Sequence, residues 1–404
     1  MIIKEQICRK VDACRGEALE FLQECIRTPS VTGEELQMAR VVTKWIEKSG
    51  LLPEWYEKEK DRPNVVARWS GSEEGRQFVL NGHMDVFPPV EGKAGFYGPW
   101  SGKVVDGYIY GRGSVDMKSG LCAGILAVKY LRELGFSPKG SILLTCVSDE
   151  ENCGVNGTKY LIDEGVISGK AGDLGICMEP TRCKVLVQHC GGATIRITYE
   201  SESGHTSMPH NSIDALTKSI HAIEKLYNLA EQIKQRYNEE MGVWSLLSIT
   251  MMESGNTSNM YPSKSSFVID RRLLPGESLD QAHAEIHEVL DKLKSNNPLY
   301  EYNYEIWGEY PALFVDENEE IVRIAMEAYN VITGENTAIY KRGGASDASD
   351  IVEGAHIPMP NFGAGNDVEE STSENEKLFL EDYYTFIKVY MMMIVKAFES
   401  NDID

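Results

Sequence analysis

Short apolar runs that stop near an acidic residue or a histidine are the feature that most constrains the fold of this chain. Phe78–Leu80 leads into Asn81-Gly82-His83-Met84-Asp85, Ile142–Val147 leads to Glu150-Glu151, and Leu174–Met178 ends at Glu179. Continuous apolar runs of this length are typical of strands buried on both faces. The sequence therefore predicts a central sheet whose strands end in polar side chains.

Helical patterns between these runs predict an α/β domain with a mainly parallel sheet. Thr32-Gly33-Glu34-Glu35 has the pattern of a capping box, and the apolar stripe after it predicts a helix that stops at Gly50. Further helices are predicted at about 117–134 and 156–164 from the same periodicity. Because a chain of 404 residues exceeds what one core usually accommodates, we expect two domains.

The pattern changes near residue 190, where Ala193–Tyr199 alternates polar and apolar residues as a half-exposed antiparallel strand does. Two predicted helices, at about 212–235 and 278–295, alternate with two more strands and indicate an inserted α+β domain. The polar segment Lys294–Pro298 is the predicted return linker. The predicted domains are therefore residues 1–189 and 298–404 for the α/β part and 190–297 for the insertion. Beyond the linker we expect a helix over 317–333, a short run at 359–362 and a final helix over 377–398.

Composition excludes several classes of partner. A net charge of -22 at pH 7 disfavours nucleic acid and anionic membranes, because no basic patch offsets that field. The sequence shows neither a signal-peptide pattern at Met1 nor an apolar stretch of about 18 residues, so we expect a cytoplasmic protein. The nine cysteines contain no Cys-x-x-Cys pair and predict reduced thiols rather than disulfides or a zinc knuckle.

The acids and the histidine at the strand ends predict a metal centre. Ligands bind at the carboxyl ends of parallel strands, so these side chains are expected to share one crevice with Asp116, which follows the glycine-rich Gly111–Val115. Uncompensated carboxylates so close together would repel one another, and one or two divalent cations explain the cluster. Taken singly, His83 is better explained as a buried core histidine, and Glu150 or Glu179 as a solvated acid. Their common position at strand ends favours the metal.

The same residues suggest how the chemistry is divided. In His-x-Asp spacing, Asp85 is able to accept a hydrogen bond from the far imidazole nitrogen of His83 and fix its tautomer. Of the neighbours Glu150 and Glu151, one is expected to ligate metal while the other takes a proton from water.

Five motifs in order resemble those of the M20 metallopeptidase family, which includes acetylornithine deacetylase, succinyl-diaminopimelate desuccinylase, aminoacylase and glutamate carboxypeptidase. The motifs are Asn81–Asp85, Gly111–Lys118, Asp149-Glu150-Glu151, Met178-Glu179-Pro180 and Gly204-His205-Thr206-Ser207-Met208-Pro209. The resemblance implies a zinc-peptidase-like α/β catalytic domain interrupted by an α+β lid that mediates dimerisation, and hence a homodimer.

Carried onto this chain, the resemblance implies that Asp116 bridges two ions. His83 and Glu179 would ligate one ion and Glu151 the other, while Asp85 would orient His83 and Glu150 would act as general base and then general acid. The chain departs from the family near its end, where Thr372 stands at the position of an expected histidine ligand. The second ion is therefore weak, absent or held by a carboxylate such as Glu370, and the predicted content is one or two ions. Zinc is the first choice, with manganese and cobalt as alternatives.

Residues of the inserted domain and of one later loop are implied to bind substrate. His205 would stabilise the oxyanion, and Asn259 and Arg272 would hold a substrate carboxylate. A polar loop histidine and a solvated arginine are the competing interpretations, and Arg272 is preferred to Arg271 only by the family's Asp-x-Arg pattern. Gly344 and Ser346 belong to a Gly-Ala-Ser-Asp loop that is expected to line the same pocket.

The sequence thus predicts a metal-dependent amidohydrolase acting on small N-acyl amino acids or dipeptides with a free carboxylate. A degenerate family member that binds a carboxylate ligand without catalysis is the alternative, because Thr372 removes one ligand. A general aminopeptidase fits less well, since such enzymes need no lid carrying His205 and Asn259.

Overall fold

The computed structural model describes residues 2–90, 92–93, 95–208, 213–366, 371 and 373–399. The chain forms two compact units. The first comprises Met1–Val187, Val315–Tyr340 and Ser346–Asp404, and the second comprises Gln188–Phe314 and Lys341–Ala345.

The first unit alternates strands and helices before the insertion and is mainly helical after it. Its elements before the insertion are α1 (Lys4–Ala13), α2 (Arg15–Arg27), α3 (Leu36–Lys48), β1 (Pro53–Tyr56), β2 (Asn64–Ser70), β3 (Glu73–His83), β4 (Lys103–Val105), β5 (Tyr108–Tyr110), α4 (Lys118–Glu133), β6 (Lys139–Val147), α5 (Thr158–Asp163), β7 (Leu174–Cys177) and β8 (Val185–His189). The chain enters the second unit along β8.

The second unit carries a sheet with two long helices. Its elements are β9 (Gly191–Glu200), β10 (Gly204–His205), α6 (Ala215–Ile233), β11 (Tyr237–Asn238), β12 (Val243–Trp244), β13 (Leu246–Ser254), β14 (Met260–Tyr261), β15 (Lys264–Leu273), α7 (Leu279–Asn296), β16 (Tyr302–Tyr310) and β17 (Leu313–Phe314). The remaining elements are α8 (Glu320–Thr333), β18 (Ile339–Arg342), α9 (Asp347–Ala355), β19 (Lys377–Phe379) and α10 (Leu380–Glu399).

The central sheet of the first unit has the order β1-β2-β6-β3-β7. β3 runs parallel to both β6 and β7, and the register sets His83 opposite Val147. The predicted mainly parallel sheet is therefore correct for the strands that carry the acids. β2 is antiparallel to β1 and to β6, so the sheet as a whole is mixed. The α/β fold with an inserted domain is confirmed.

The predicted capping box before α3 is wrong. No side chain caps this helix, whose N-cap residue is Glu35. The hydroxyl of Thr32 instead donates to Oδ2 of Asp85 at 2.9 Å, and the carboxylate of Glu35 accepts from the Gly33 N–H and from Arg62. The sequence has the capping-box pattern, but Thr32 and Glu35 bind partners far along the chain instead of the helix end.

The second unit has an antiparallel sheet in the order β13-β15-β9-β16. Its core includes Ile195, Phe267, Leu226 and Ile286, which come from two strands and from both long helices. β16 pairs with β9 along Tyr302–Tyr310, so the chain does not return at the predicted linker near residue 298. The proline-containing segment marks only the end of α7, because the strand after it still covers the sheet edge of this unit.

The short run 359–362 lies outside the strands given above, and its Asn361 makes isolated bridges to Cys177 and Leu186. One further expectation about the C-terminal part differs from the structure. The predicted final helix starts with a short strand, β19, which pairs with β5, and α10 follows from Leu380. Among the described residues, no helix is both long and apolar enough to cross a membrane.

Candidate metal centre

His83 occupies the last position of β3 and is almost fully buried. Its Nδ1 atom lies 2.9 Å from the main-chain oxygen of Asp85. A carbonyl oxygen only accepts, so Nδ1 must donate, and in the neutral ring Nε2 carries the lone pair. The strand end therefore presents a histidine with its acceptor nitrogen turned away from the main chain.

The carboxylates of Asp116 and Glu179 approach this nitrogen of His83. His83 Nε2 lies 3.3 Å from Asp116 Oδ1 and 3.4 Å from Glu179 Oε1, and one ligand atom from each residue falls within 4.8 Å of the others. His83 Nε2 is buried without a hydrogen-bond partner among the described residues. Imidazole nitrogen and carboxylate oxygen are both zinc ligands, and catalytic zinc sites take three protein ligands. The three residues therefore fit a divalent ion.

The electrostatics of the cluster favour positive charge at its centre. Burial alone would lower the pKa of His83, but the surrounding carboxylates, Glu150 foremost, raise it well above its ordinary value. Burial also raises the pKa of Glu150 well above its ordinary value, with the charge of Glu179 adding to the effect. A divalent ion bound among these groups would reverse that tendency and hold the carboxylates ionised.

Glu150 and Glu151 begin a 3-10 turn after β6. The carboxylate of Asp85 accepts both of their main-chain N–H groups at 3.2 Å, one on each oxygen. Glu150 Oε2 lies 3.7 Å from His83 Nε2. Asp85 thus aims the turn that carries Glu150, and its main chain rather than its carboxylate makes the shorter contact to His83, since Oδ1 lies 3.6 Å from Nδ1.

A buried arginine fixes the residue before this turn. Arg62 lies 2.6 Å from Glu35 and 2.7 Å from Asp149, and both carboxylates are fully or almost fully buried. Asp149 has a left-handed backbone with φ of 69°, and its other oxygen accepts the N–H of Asn156. These contacts hold the chain where β6 passes into Glu150.

Two buried carboxylates near the centre, Glu376 and Asp347, were not among the site residues predicted from the sequence. Glu376 accepts the main-chain N–H groups of Val115 and Asp116 and pairs with Arg112 at 2.6 Å. It thereby holds the loop that presents Asp116. Asp347 lies at the start of α9, and burial raises its pKa to about 7. The sequence signal that could have identified Asp347 is an acid at the start of a helix.

The substrate-binding residues predicted from the resemblance lie in both units. Ser346, in the first unit, is buried, and its hydroxyl is engaged with the side chain of Asn361. Its hydroxyl is therefore part of the core. His205, Asn259, Arg272 and Gly344 belong to the second unit. Thr372 and Glu370, which bear on the second ion, lie outside the described residues.

His205 and Asn259 are neighbours across the small β10–β14 pair. His205 Nε2 lies 3.1 Å from the side-chain amide of Asn259, and His205 Nδ1 accepts the main-chain N–H of Ser207 at 3.2 Å. The Ser207 hydroxyl lies closer to Nδ1, at 2.7 Å, and the Asn259 atom that faces Nε2 is the amide nitrogen Nδ2. Each ring nitrogen of His205 therefore has a polar partner within its own unit.

The two adjacent arginines of β15 have different surroundings. Arg271 is buried and bound to Ser245 and Glu277. Arg272 has a side chain that is 60% exposed and pairs only along the strand with Asp270 among the contacts described. Of the two, Arg272 is the residue able to meet a ligand.

The model of peptidase family M20/M25/M40 matches residues 79–396, which include every candidate metal residue. The chain belongs to this family. It is a metal-dependent hydrolase of amide bonds.

Known proteins resemble this M20 hydrolase over nearly its whole length. A succinyl-diaminopimelate desuccinylase of Bradyrhizobium sp. (strain BTAi1 / ATCC BAA-1182) is 28% identical over 95% of this chain and 99% of its own. An M20 family metallo-carboxypeptidase, Sso-CP2 from Sulfolobus solfataricus, has a TM-score of 0.74 at 18% identity, covering 94% and 98% of the two chains. The YXEP protein of Bacillus subtilis, a dinuclear metal-binding M20 peptidase, has a TM-score of 0.64 at 16% identity over 96% and 99%.

Proposed function

We propose that this M20 hydrolase cleaves the amide bond of small N-acyl amino acids or short peptides that carry a free carboxylate. The observation that carries the proposal is the convergence of His83, Asp116 and Glu179 beside Glu150. The names of the desuccinylase and carboxypeptidase relatives support a substrate with a carboxylate near the scissile bond.

His83, Asp116 and Glu179 would hold the divalent ion, for which zinc is our first choice and manganese and cobalt are alternatives. The ion would supply Lewis-acid polarisation of the amide carbonyl and acidify water. The protein's part is to orient His83 through the Asp85 carbonyl and to hold Asp116 through Glu376.

Glu150 is the proposed general base and then general acid. Its burial and its raised pKa suit a group that must take a proton from water and later return it to the leaving amine. Asp85 positions it through the main-chain N–H groups of the turn. Glu151 is the nearest alternative base, but its side chain is less buried.

His205 is the proposed oxyanion donor, because its ring is exposed and is oriented by Ser207 at Nδ1 and by Asn259 at Nε2. Asn259 and Arg272 are proposed to hold the substrate carboxylate, and Gly344 and Ser346 to line the pocket through their main chain. Arg272 suits this role since its guanidinium is accessible and matches a carboxylate bidentately.

We further propose a cytoplasmic homodimer formed through the second unit. The nine free cysteines suit a reducing compartment. β13 lies at one edge of its sheet and exposes Met251 and Met252, which a second copy would cover.

The experiment is hydrolysis of a panel of N-acyl amino acids and dipeptides by protein loaded with zinc, manganese or cobalt. Glu150→Gln is expected to lower kcat by about 10²- to 10⁴-fold with metal content unchanged. Glu164→Gln, an exposed glutamate in the first unit, is the matched control and should retain full activity. Full activity in Glu150→Gln would refute the proposal. So would a metal-loaded wild type that hydrolyses no member of the panel.

A further inference from the structure

The two oxygens of the Asp116 carboxylate face different partners. Oδ1 lies 3.3 Å from His83 Nε2, inside the cluster, whereas Oδ2 accepts the hydroxyl of Ser371 at 2.7 Å. A carboxylate that bridges two ions usually offers one oxygen to each. Here a neutral hydroxyl takes the second oxygen.

The first unit also has no second imidazole suited to a metal. Its sequence contains only two histidines, His83 and His356. His356 is exposed and follows the last turn of α9, whose first residue is the buried Asp347. At about 1.5 Å per residue, the helix separates these two ends by about 13 Å. His356 therefore cannot replace the ligand that Thr372 fails to provide.

The carboxylates present do not assemble a second ligand set among the described residues. His83, Asp116 and Glu179 form the one group there whose ligand atoms converge, and Glu151 is not a member. Catalytic zinc sites usually take three protein ligands and leave a position for water. The three converging residues satisfy one ion in full.

We infer that each chain holds one tightly bound divalent ion, at His83, Asp116 and Glu179, and that the Ser371 hydroxyl stands beside Asp116 where a second ion would. This inference rests on the proposed function and deepens it. Ser371 is then a positioning residue, which keeps Oδ1 of Asp116 directed into the cluster. Glu151 is released from metal binding. The chain would differ in this respect from the dinuclear Bacillus subtilis relative.

The test is metal stoichiometry, which needs no substrate. The full-length protein is stripped with a chelator, reloaded with Mn²⁺ or Zn²⁺, freed of excess ion by gel filtration, and analysed by elemental and native mass spectrometry. We expect one ion per chain in the wild type and in Thr372→Ala. Thr372→His, which restores the histidine of the family pattern, should bind two, and its Mn²⁺ form should show the spin coupling of an ion pair in electron paramagnetic resonance.

Each result decides a different claim. Two tightly bound ions in the wild type would overturn the inference and leave the proposed function standing. No bound ion would overturn the proposed function as well. One ion in a folded Thr372→His protein would overturn the claim that the missing imidazole limits the content.

Ser371 is tested by the affinity for the single ion, measured by competition with a chelating dye. Ser371→Ala should weaken binding by about tenfold or more, as losses beside a ligand do. Ser371→Thr keeps the hydroxyl and should restore the wild-type affinity. Equal affinities in Ser371→Ala and the wild type would overturn the positioning role.

Discussion

The main-chain oxygen of Asp85 accepts the Nδ1 proton of His83 at 2.9 Å, while the Asp85 carboxylate oxygen nearest that nitrogen lies 3.6 Å away. The carboxylate instead receives the N–H groups of the turn at Glu150. One residue therefore orients the histidine through its main chain and the proposed base through its side chain. The two functions are separable by mutation.

Asp85→Asn is expected to impair catalysis rather than metal binding. The carbonyl that holds His83 is kept, but the new amide group opposes an N–H donor and leaves it unpaired, at a cost of about 1–3 kcal/mol. The turn should shift and kcat should fall by about 10- to 100-fold. Elemental analysis and kinetics of the same sample check this. The matched variant Thr32→Val removes one hydroxyl donor to the Asp85 carboxylate but keeps both contacts to the turn, so it should have a smaller effect. A loss of metal in Asp85→Asn would contradict the separation.

Arg272 and Arg271 should respond in opposite ways to truncation. Arg272→Ala removes an exposed side chain, so we expect unchanged stability and a KM increase of about 10- to 100-fold from a lost charge-assisted hydrogen bond. Arg271→Ala removes a buried guanidinium that binds Glu277, which keeps its pairing with Arg236, so the free energy of unfolding should fall by about 1.5–3 kcal/mol. Steady-state kinetics and urea unfolding of the pair measure both effects. An unstable Arg272→Ala, or a KM unchanged by it, would count against the assignment.

Arg62→Met should be strongly destabilising. It leaves the buried carboxylates of Glu35 and Asp149 without their shared cation, which costs about 3–5 kcal/mol. Adding Glu35→Gln should recover part of this loss, because one of the unpaired charges disappears. Lys60→Met, at an exposed side chain two residues earlier, is the control and should change the free energy of unfolding by less than about 0.5 kcal/mol. Equal unfolding midpoints for Arg62→Met and Lys60→Met would show that the Arg62 ion pairs do not stabilise the fold.

His189 should make the protein less stable in mild acid. Burial lowers the pKa of His189 to about 3, below its ordinary value of 6.5. Between these pH values the unfolded chain binds more protons than the folded one, so stability falls as the pH drops below about 6.5, by about 1 kcal/mol per pH unit. Urea unfolding at about pH 5 and about pH 6.5 should show this slope reduced in His189→Gln. A slope identical to that of the wild type would show that other groups cause it.

The strands around the metal centre were predictable because a buried strand has a local sequence pattern, a short continuous apolar run. The apolar runs before His83, Glu150 and Glu179 became β3, β6 and β7, and their parallel alignment brought the ends together. The convergence of His83 with Asp116 and Glu179 followed from this alignment and from the family motifs. Their catalytic roles remain predictions.

Other parts could not be predicted, because they depend on which distant groups compete for a side chain. Thr32 and Glu35 match a capping box, yet Asp85 and Arg62 take them. The linker near residue 298 has loop composition, but β16 beyond it still completes the sheet of the second unit. Neither outcome is visible in a window of a few residues.

The sequence by itself determined which segments are the strands of the centre, since these follow from apolar runs. It also determined the family and the candidate metal-binding groups, which follow from motif residues. Only the tertiary structure decided the partners of those groups. It gave the Asp85 carboxylate to the Glu150 turn, Glu376 to the main chain of Asp116, and the Ser371 hydroxyl to the second oxygen of Asp116. Buried polar groups must find partners, and long-range packing selects which partners come within reach.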